Sequence, residues 1–171
     1  MLSTPIDEFA PVRLHESFQR IYADHVELVL RYLCVFVGNP ADAEDLCADT
    51  FVRAWRAWPR FVGNDASARA WLLRIAANLA RSRHRRVRAT VPLHPDQADP
   101  ANHSATSVER IILKAAMGRL RRGDRAVLAL RASGLSFSEI GAVQGRSEDA
   151  AKMACHRAMT RLRQELHTPN D

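Results

Sequence analysis

The chain has 171 residues, of which 47% are hydrophobic and 26% charged, a balance that suits a soluble globular protein of one or two small domains. Twenty-five Lys and Arg against 19 Asp and Glu leave a formal charge of +6, which points to an anionic partner, nucleic acid or membrane surface. Cys34, Cys47 and Cys155 lie far apart and form no CxxC pair, so buried thiols in a reducing compartment are expected and a zinc site is not. Asp7 and Glu8 interrupt any apolar start of the signal-peptide kind. The most apolar run, Val26 to Val37, is broken by Glu27 and Arg31 and is too short to span a bilayer, so a cytoplasmic protein is expected.

Residues 1–13 hold two prolines and no sustained period, and read as a loose arm. From His15 to Val37 the spacing predicts a helix with Phe18, Ile21, Tyr22, Leu28, Val29, Tyr32, Leu33 and Phe36 as core contacts. Gly38-Asn39-Pro40 ends it and starts the next, with Asn39 as N-cap and Pro40 at the first helical position. In that second helix Cys47, Thr50, Phe51, Ala54, Trp55 and Trp58 recur at one-face spacing. Another face carries Asp42, Asp45, Asp49, Arg53 and Arg56, acidic first and basic last. The helix dipole explains part of that order. On periodicity alone a well-capped surface helix is the preferred reading; a docking face, acidic end first, for a basic partner is the sharper one.

Pro59 to Asp65 is a break, after which Asp65 or Ser67 is expected to cap a third helix reaching Arg88. Ala68, Trp71, Leu72, Ile75, Ala76 and Leu79 form its apolar stripe. Arg74, Asn78, Arg81 and Arg85 repeat on another face, and Arg83, Arg86 and Arg88 thicken the basic end. Like charges at this spacing repel, and the dipole accounts for one or two cations, not five within Arg81 to Arg88. Phosphate is the expected counterpart. Residues 89–106 contain three prolines and no Lys or Arg and read as a flexible linker.

The second half restarts with Thr106 or Ser107 as N-cap and a short helix marked by Val108, Ile111, Ile112, Ala115 and Leu120. Gly123-Asp124 interrupts the pattern, with Asp124 as a cap for a helix that Gly134 stops. SFSEIGAVQ, a turn at Gly145 and a long helix from Ser147 to about His167 fit a helix-turn-helix. Gly141 permits close helix approach there. Ala151, Ala154, Cys155, Ala158, Leu162 and Leu166 form the buried stripe of the long helix. Lys152, Arg157, Arg161 and Arg163 are placed to reach phosphates, and Met153 or His156 to approach base edges. The expected fold is therefore all-α, two small helical domains joined by a flexible linker, the second a helix-turn-helix. Trp55, Trp58 and Trp71 fall on apolar stripes and are expected in the core. No HxxxH, CxxC, Gly-rich phosphate loop or nucleophile signature is present, so neither catalysis nor a cofactor or metal is expected.

NPADAEDLCADTFVRAWRAWPRF, ARAWLLRIAANLARSRHRR and LSFSEIGAVQGRSEDAAKMACHRAMTRLRQEL, in this order, resemble bacterial RNA polymerase sigma factors of the sigma-70 family. The match is to the small extracytoplasmic-function (ECF) group and covers roughly residues 15–166 outside the linker. The resemblance implies an arm at 1–13, sigma region 2 at 14–88, a linker at 89–106, region 4 at 107–167 and a tail at 168–171. It implies core-polymerase contacts at Asp42, Glu44, Asp45, Asp49, Phe51 and Arg53. It implies minus-ten DNA contacts at Arg74, Asn78, Arg81, Arg85 and Arg86, with the Phe61 to Ser67 loop beside them. It implies minus-thirty-five contacts at Ser147, Lys152, Met153, His156, Arg157 and Arg161. The partners it implies are core RNA polymerase, promoter DNA and, as is common in the family, an anti-sigma factor. Gln144 and Arg146 stand where the family usually has apolar residues, Ala151 where it has Val or Ile, and Cys155 where it has Leu. Arg121 and Arg122 stand where prolines are common. Glu148 and Asp149 at the start of the long helix repel phosphate, so weak or unusual minus-thirty-five recognition is expected. The alternatives are a stand-alone helix-turn-helix regulator that needs no polymerase, and an interaction module without sequence-specific DNA binding.

Overall fold

The structure, a computed structural model that describes residues 10–90 and 108–167, is helical throughout, and no strand occurs among the described residues. The first three helices are α1 (Ala10–Val37), α2 (Pro40–Ala57) and α3 (Asp65–Thr90), with one 3-10 turn, Trp58–Arg60, between the last two. Then follow α4 (Val108–Arg119), α5 (Arg122–Ala132), α6 (Phe137–Gln144) and α7 (Glu148–His167). The expected linker core, the cap at Thr106 or Ser107, the tail and residues 1–9 of the arm lie outside the described residues.

Asn39 starts α2 as its composition dictates: its side-chain oxygen accepts from the Asp42 amide at 3.1 Å, with Pro40 just behind it. Three other helix starts, those of α1, α3 and α5, depart from expectation. Helix α1 begins at Ala10 rather than His15, and Pro11 is tolerated because amides of the first turn lack intrahelical partners. Neither Asp65 nor Ser67 caps α3. Asn64 does, its Oδ1 accepting from the Ser67 amide at 3.0 Å and the Ser67 hydroxyl at 2.8 Å. Asp65 is thereby freed to meet the buried His25 ring at 3.2 Å. The break before α5 falls at Arg121 rather than Gly123-Asp124. Asp124 lies inside the helix and does not cap it; its carboxylate holds Arg161 at 2.6 Å. Helix α3 continues through Ala89 and Thr90, which the composition assigns to the linker.

Helices α1, α2 and α3 pack on one another, and α5, α6 and α7 do the same, with α4 against α7. Two further contacts, α1 on α5 and α3 on α6, join the sets, and one cluster of buried side chains runs through both. Leu33, Leu72 and Leu73 are fully buried in the first set, Leu130, Leu135 and Ile140 in the second, each worth about 1.5–3 kcal/mol of transfer free energy. Trp58 stacks on Phe61 at 5.1 Å, Phe61 lies 4.7 Å from Trp71, and the Trp58 indole N–H donates to Ser17 at 3.1 Å. Trp58 and Trp71 thus pack against the core. Trp55 does not: it is 43% exposed, as is Tyr22 at 46%, and both line the outer α1–α2 seam. Leu166, expected in the α7 stripe, is also exposed, whereas Ala151, Ala154, Cys155, Ala158 and Leu162 are buried. On α4 the period is helical, but Val108, Ile111 and Ile112 are exposed, whereas Ala116 and, just beyond the helix, Leu120 are buried.

Helix α6 opens with a reciprocal capping box: Ser136 accepts from the Glu139 amide at 3.2 Å, and the Glu139 carboxylate accepts from the Ser136 amide at 2.7 Å. It closes on Gly145, whose φ of +69° is the left-handed conformation that favours glycine. Gly141 is constrained differently. A Cβ there would lie 2.7 Å from the Arg146 carbonyl oxygen, so only glycine lets the turn pass so close. Ser147 then caps α7, accepting from the Ala150 amide at 3.3 Å.

Candidate nucleic-acid interface

Helices α2 and α3 pack on each other; the exposed charges of α2 are acidic at Glu44, Asp45 and Asp49 and basic at Arg53 and Arg56, and those of α3 beyond its first turn are basic. On α2, Glu44, Asp45, Asp49 and Arg53 are exposed. Asp42 is different: it is half-buried and forms an ion pair with Arg83 of α3, which spends part of its charge inside the protein. Phe51 is 5% exposed, with its ring 4.8 Å from Tyr22 and 6.5 Å from Phe18, so it packs in the core rather than on the outer face of α2. Its place on the same stripe as Cys47, Thr50 and Ala54 is the signal that says so.

On α3, Arg74, Asn78 and Arg85 are exposed along one face, and Arg86 is exposed at the basic end. Arg81 is half-buried and fully engaged: it donates to Asn78 Oδ1 at 2.6 Å, to the Val143 carbonyl at 3.1 Å and to the Gln144 carbonyl at 3.3 Å. The 61–67 segment leads into the start of α3. Val62 is 95% exposed at its tip, and Gly63 is pinched so that a Cβ would meet both Phe61 and Ser67 at 2.8 Å. The Trp58–Phe61–Trp71 stack fixes the loop from within.

On α7, Lys152, Met153, His156 and Arg157 are exposed together, and Ser147 stands at the helix start. Arg161 is exposed but tied to Asp124. Arg146 is exposed, so its charge reaches water, while the Gln144 Oε1 is buried without a hydrogen-bond partner. Three stabilising features lacked any expectation from sequence. Arg125 is 3% exposed and donates to the carbonyls of Gly118 at 3.0 Å and Leu120 at 2.8 Å, satisfying the end of α4. Arg119 grips Glu165 at 2.7 Å. The Ser136 capping box had a readable signal, serine followed three positions later by glutamate.

The three thiols are Cys34, half-buried, and Cys47 and Cys155, buried, and none is in a disulfide. Burial raises all three, Cys47 to about 11, so they are poor nucleophiles. No group of three His, Cys, Asp or Glu side chains able to hold a metal occurs among the described residues, and none of their helices is long and apolar enough to cross a membrane.

A helical chain with one acidic face and two basic faces is equipped for binding, specifically for pairing a protein partner with nucleic acid. Residues 21–90 match the family model for sigma-70 region 2. Over 157 residues the chain is 34% identical to RNA polymerase sigma factor CarQ of Myxococcus xanthus, spanning 88% of this chain and 90% of that protein. RNA polymerase sigma factor CnrH of Cupriavidus metallidurans is 34% identical over 162 residues, 85% of this chain and 84% of that protein. A structure of CnrH in complex with the cytosolic domain of CnrY aligns with a TM-score of 0.65 at 29% identity, covering 89% of this chain and 88% of that one. The fold is also that of sigma factor RpoE in its complex with anti-sigma factor NepR from Bartonella quintana, with a TM-score of 0.72 at 23% identity over 91% of this chain and 99% of that one. With 30% identity over 155 residues to ECF RNA polymerase sigma factor SigL of Mycobacterium tuberculosis as well, 85% of this chain and 86% of that protein, the chain belongs to the sigma-70 family of RNA polymerase sigma factors, in its extracytoplasmic-function (ECF) group. It is accordingly not an enzyme but the subunit that binds core polymerase and directs transcription initiation.

Proposed function

We propose that the work is divided between two helical domains, residues 14–88 and 107–167, joined by the 89–106 linker. The carrying observation is the packing of α2 on α3, with exposed carboxylates in the first half of α2 and exposed arginines along α3. Asp45, Asp49, Glu44 and Arg53 form the core-polymerase surface, with Asp42 as the pin that fixes α2 on α3 through Arg83. Arg74, Arg85 and Arg86 hold the minus-ten backbone, and Asn78 and Arg81 meet the displaced strand beside the Val62 loop. Holding unstacked bases needs compensation of about a few kcal/mol, which stacking and phosphate contacts supply. Polymerase performs the chemistry.

The Phe137–Gln144 and Glu148–His167 pair acts as a helix-turn-helix, with α7 entering the major groove of the minus-thirty-five element. Lys152, Met153, His156 and Arg157 face the DNA, Ser147 sets the helix start, and Arg161 reaches phosphate once Asp124 lets it go. Glu148 and Asp149 oppose that approach, so mutating the minus-thirty-five element lowers transcription only modestly; a loss as large as that from mutating the minus-ten element overturns this part. The exposed apolar side chains Ile111, Ile112, Tyr22 and Trp55 support a protein partner such as an anti-sigma factor.

The test is retention on core polymerase. The wild-type chain is expected to be retained and an Asp45→Arg, Asp49→Arg double variant to be lost. Retention of both removes the contact from α2. A chain that ignores core polymerase yet shifts a discrete duplex unaided is a stand-alone regulator instead.

A further inference from the structure

Helix α1 carries a polar residue where its buried stripe calls for an apolar one. Ile21, His25 and Val29 recur every four residues and all three are buried, His25 to 7% exposure. A leucine would fill that place at less cost, since a buried imidazole must find a hydrogen-bond partner to offset its lost hydration. The partner is Asp65, whose Oδ1 lies 3.2 Å from His25 Nε2. Asp65 gains little from the bond: its side chain is 70% exposed, and its place in the first turn of α3 already suits a carboxylate. What the bond does is tie the end of the Val62 loop to α1.

The start of that loop is tied to the same helix, through the Trp58 indole N–H and Ser17. Along α1, Ser17 and His25 stand about 12 Å apart. Between these ties the loop stands off from the helix. A cleft of about 260 Å³ opens there, lined by Arg20 and Asp24 on α1 and by Phe61, Gly63 and Asn64 on the loop. The Asn64 side chain is spent on Ser67, and Val62 points into solvent. The span from Val62 to Asn64 is therefore positioned from its ends rather than by packing along its length.

We propose that His25 is a positioning residue for promoter opening: it holds the Asp65 end of the Val62 loop so that the loop meets the displaced strand already ordered, without touching DNA itself. This rests on the reading of α3 and the Val62 loop as the minus-ten face. A loop ordered beforehand does not subtract its ordering cost from binding. Apparent affinity scales with the fraction of time the loop spends in its binding conformation, and one hydrogen bond of ordinary net strength shifts such an equilibrium about fivefold.

Two substitutions at one position separate positioning from packing. Glutamine sets its amide nitrogen about where His25 Nε2 stands and keeps the bond; leucine fills the space and loses it. Because leucine also removes a buried polar group, His25→Leu is expected to melt at or above the wild-type temperature, so a loosened loop is not a weakened core. Loop mobility is read in the free chain from the electron paramagnetic resonance line of a nitroxide on Val62→Cys, with Cys34→Ala to confine the label. The line is expected to narrow in His25→Leu and in Asp65→Ala, to narrow no further in the double variant, and to stay broad in His25→Gln. Strand capture is read with unlabelled chains assembled on core polymerase. The probe is a duplex selected from random DNA by the wild-type holoenzyme, with its minus-ten region left unpaired. His25→Leu is expected to bind it about two- to fivefold more weakly and His25→Gln like the wild type, with both retained on core polymerase.

An unchanged line in His25→Leu overturns the anchor, and so does a line that narrows as much in His25→Gln. A narrowed line with unchanged binding overturns the role in strand capture. Arg85→Ala then separates that failure from failure of the face itself: weaker binding keeps α3 as the nucleic-acid face, and no change removes it. If His25→Leu misfolds, Asp65→Ala serves in its place, because it breaks the same bond from an exposed side chain.

Discussion

Replacing Gly141 with alanine tests how tightly the α6–α7 turn is built. The added methyl would sit 2.7 Å from the Arg146 carbonyl oxygen and 3.2 Å from both the carbonyl carbon and oxygen of Ser147. All three are backbone atoms, so no side-chain rotation relieves the contact; the turn must move by roughly 0.7 Å to reach ordinary separation. Overpacking of this kind costs about 1–3 kcal/mol. The same shift strains the bond from the Arg146 amide to the Gly141 carbonyl, 2.9 Å long, which is worth about 1 kcal/mol. Alanine returns about 1 kcal/mol through its better helix propensity. The net expectation is a loss of about 2 kcal/mol, or about 4–8 °C in melting temperature for a chain of this size. Thermal unfolding followed by circular dichroism measures it. Gly145→Ala makes a useful contrast, because nothing lies within 4 Å of its Cβ and only the left-handed φ of +69° opposes it; about 1 kcal/mol is expected there. A Gly141→Ala protein that melts at or above the wild-type temperature refutes the steric argument.

Arg125→Ala removes the donor to the Gly118 and Leu120 carbonyls in a buried setting and should lower stability by about 2–4 kcal/mol, measured by urea unfolding. Asn64→Ala strips the α3 cap and should cost about 1 kcal/mol in the same assay, whereas Ser67→Ala should cost less. The Ser136 amide, aided by the Ser136 hydroxyl and by Arg69, holds the Glu139 carboxyl below its ordinary 4.5 against the opposing effect of burial. A lowered carboxyl gives stability that is present above the unfolded value and lost as the pH falls through the folded one. Melting temperature should therefore drop more steeply below about pH 4.5 in the wild type than in Glu139→Gln. Raised by burial to about 11, Cys47 should resist alkylation at pH 8 in the native protein and react on unfolding, as read by mass spectrometry.

Local chemistry made much of this fold readable. Asn39, Pro40, Gly134 and Gly145 each carry a conformational or capping property that acts within a few residues, and each stands at the boundary it suggests. Where several candidates crowd together, spacing does not choose: Asn64, Asp65 and Ser67 are all good caps, and only the folded loop shows that Asn64 takes the role while Asp65 turns to His25. Periodicity identifies a face but not whether anything covers it. Trp55, Tyr22, Leu166 and Ile111 lie on apolar stripes that neighbouring elements leave 40–66% exposed. The reverse held for Phe51, whose stripe placed it inside even though its motif suggested a contact. The charged faces of α2, α3 and α7 were legible because charge needs solvent or a partner. The engagement of Arg81 by Val143 and Gln144 was not, since the contact joins residues more than sixty positions apart and leaves no local pattern.

The aromatic stack beneath the Val62 loop has a spectroscopic consequence. All three tryptophans, and both tyrosines, belong to α1, the α2–α3 connection and their neighbours; residues 108–167 contain neither type. Emission excited at 295 nm therefore reports on the first half alone, while far-UV ellipticity sums over every helix. A melt in which both signals change together marks a single cooperative unit. A melt in which ellipticity falls first, with the indoles still in their native environment, marks a second half that unfolds on its own. The chain thus carries its own reporter of whether its two halves act as one body, with no label added.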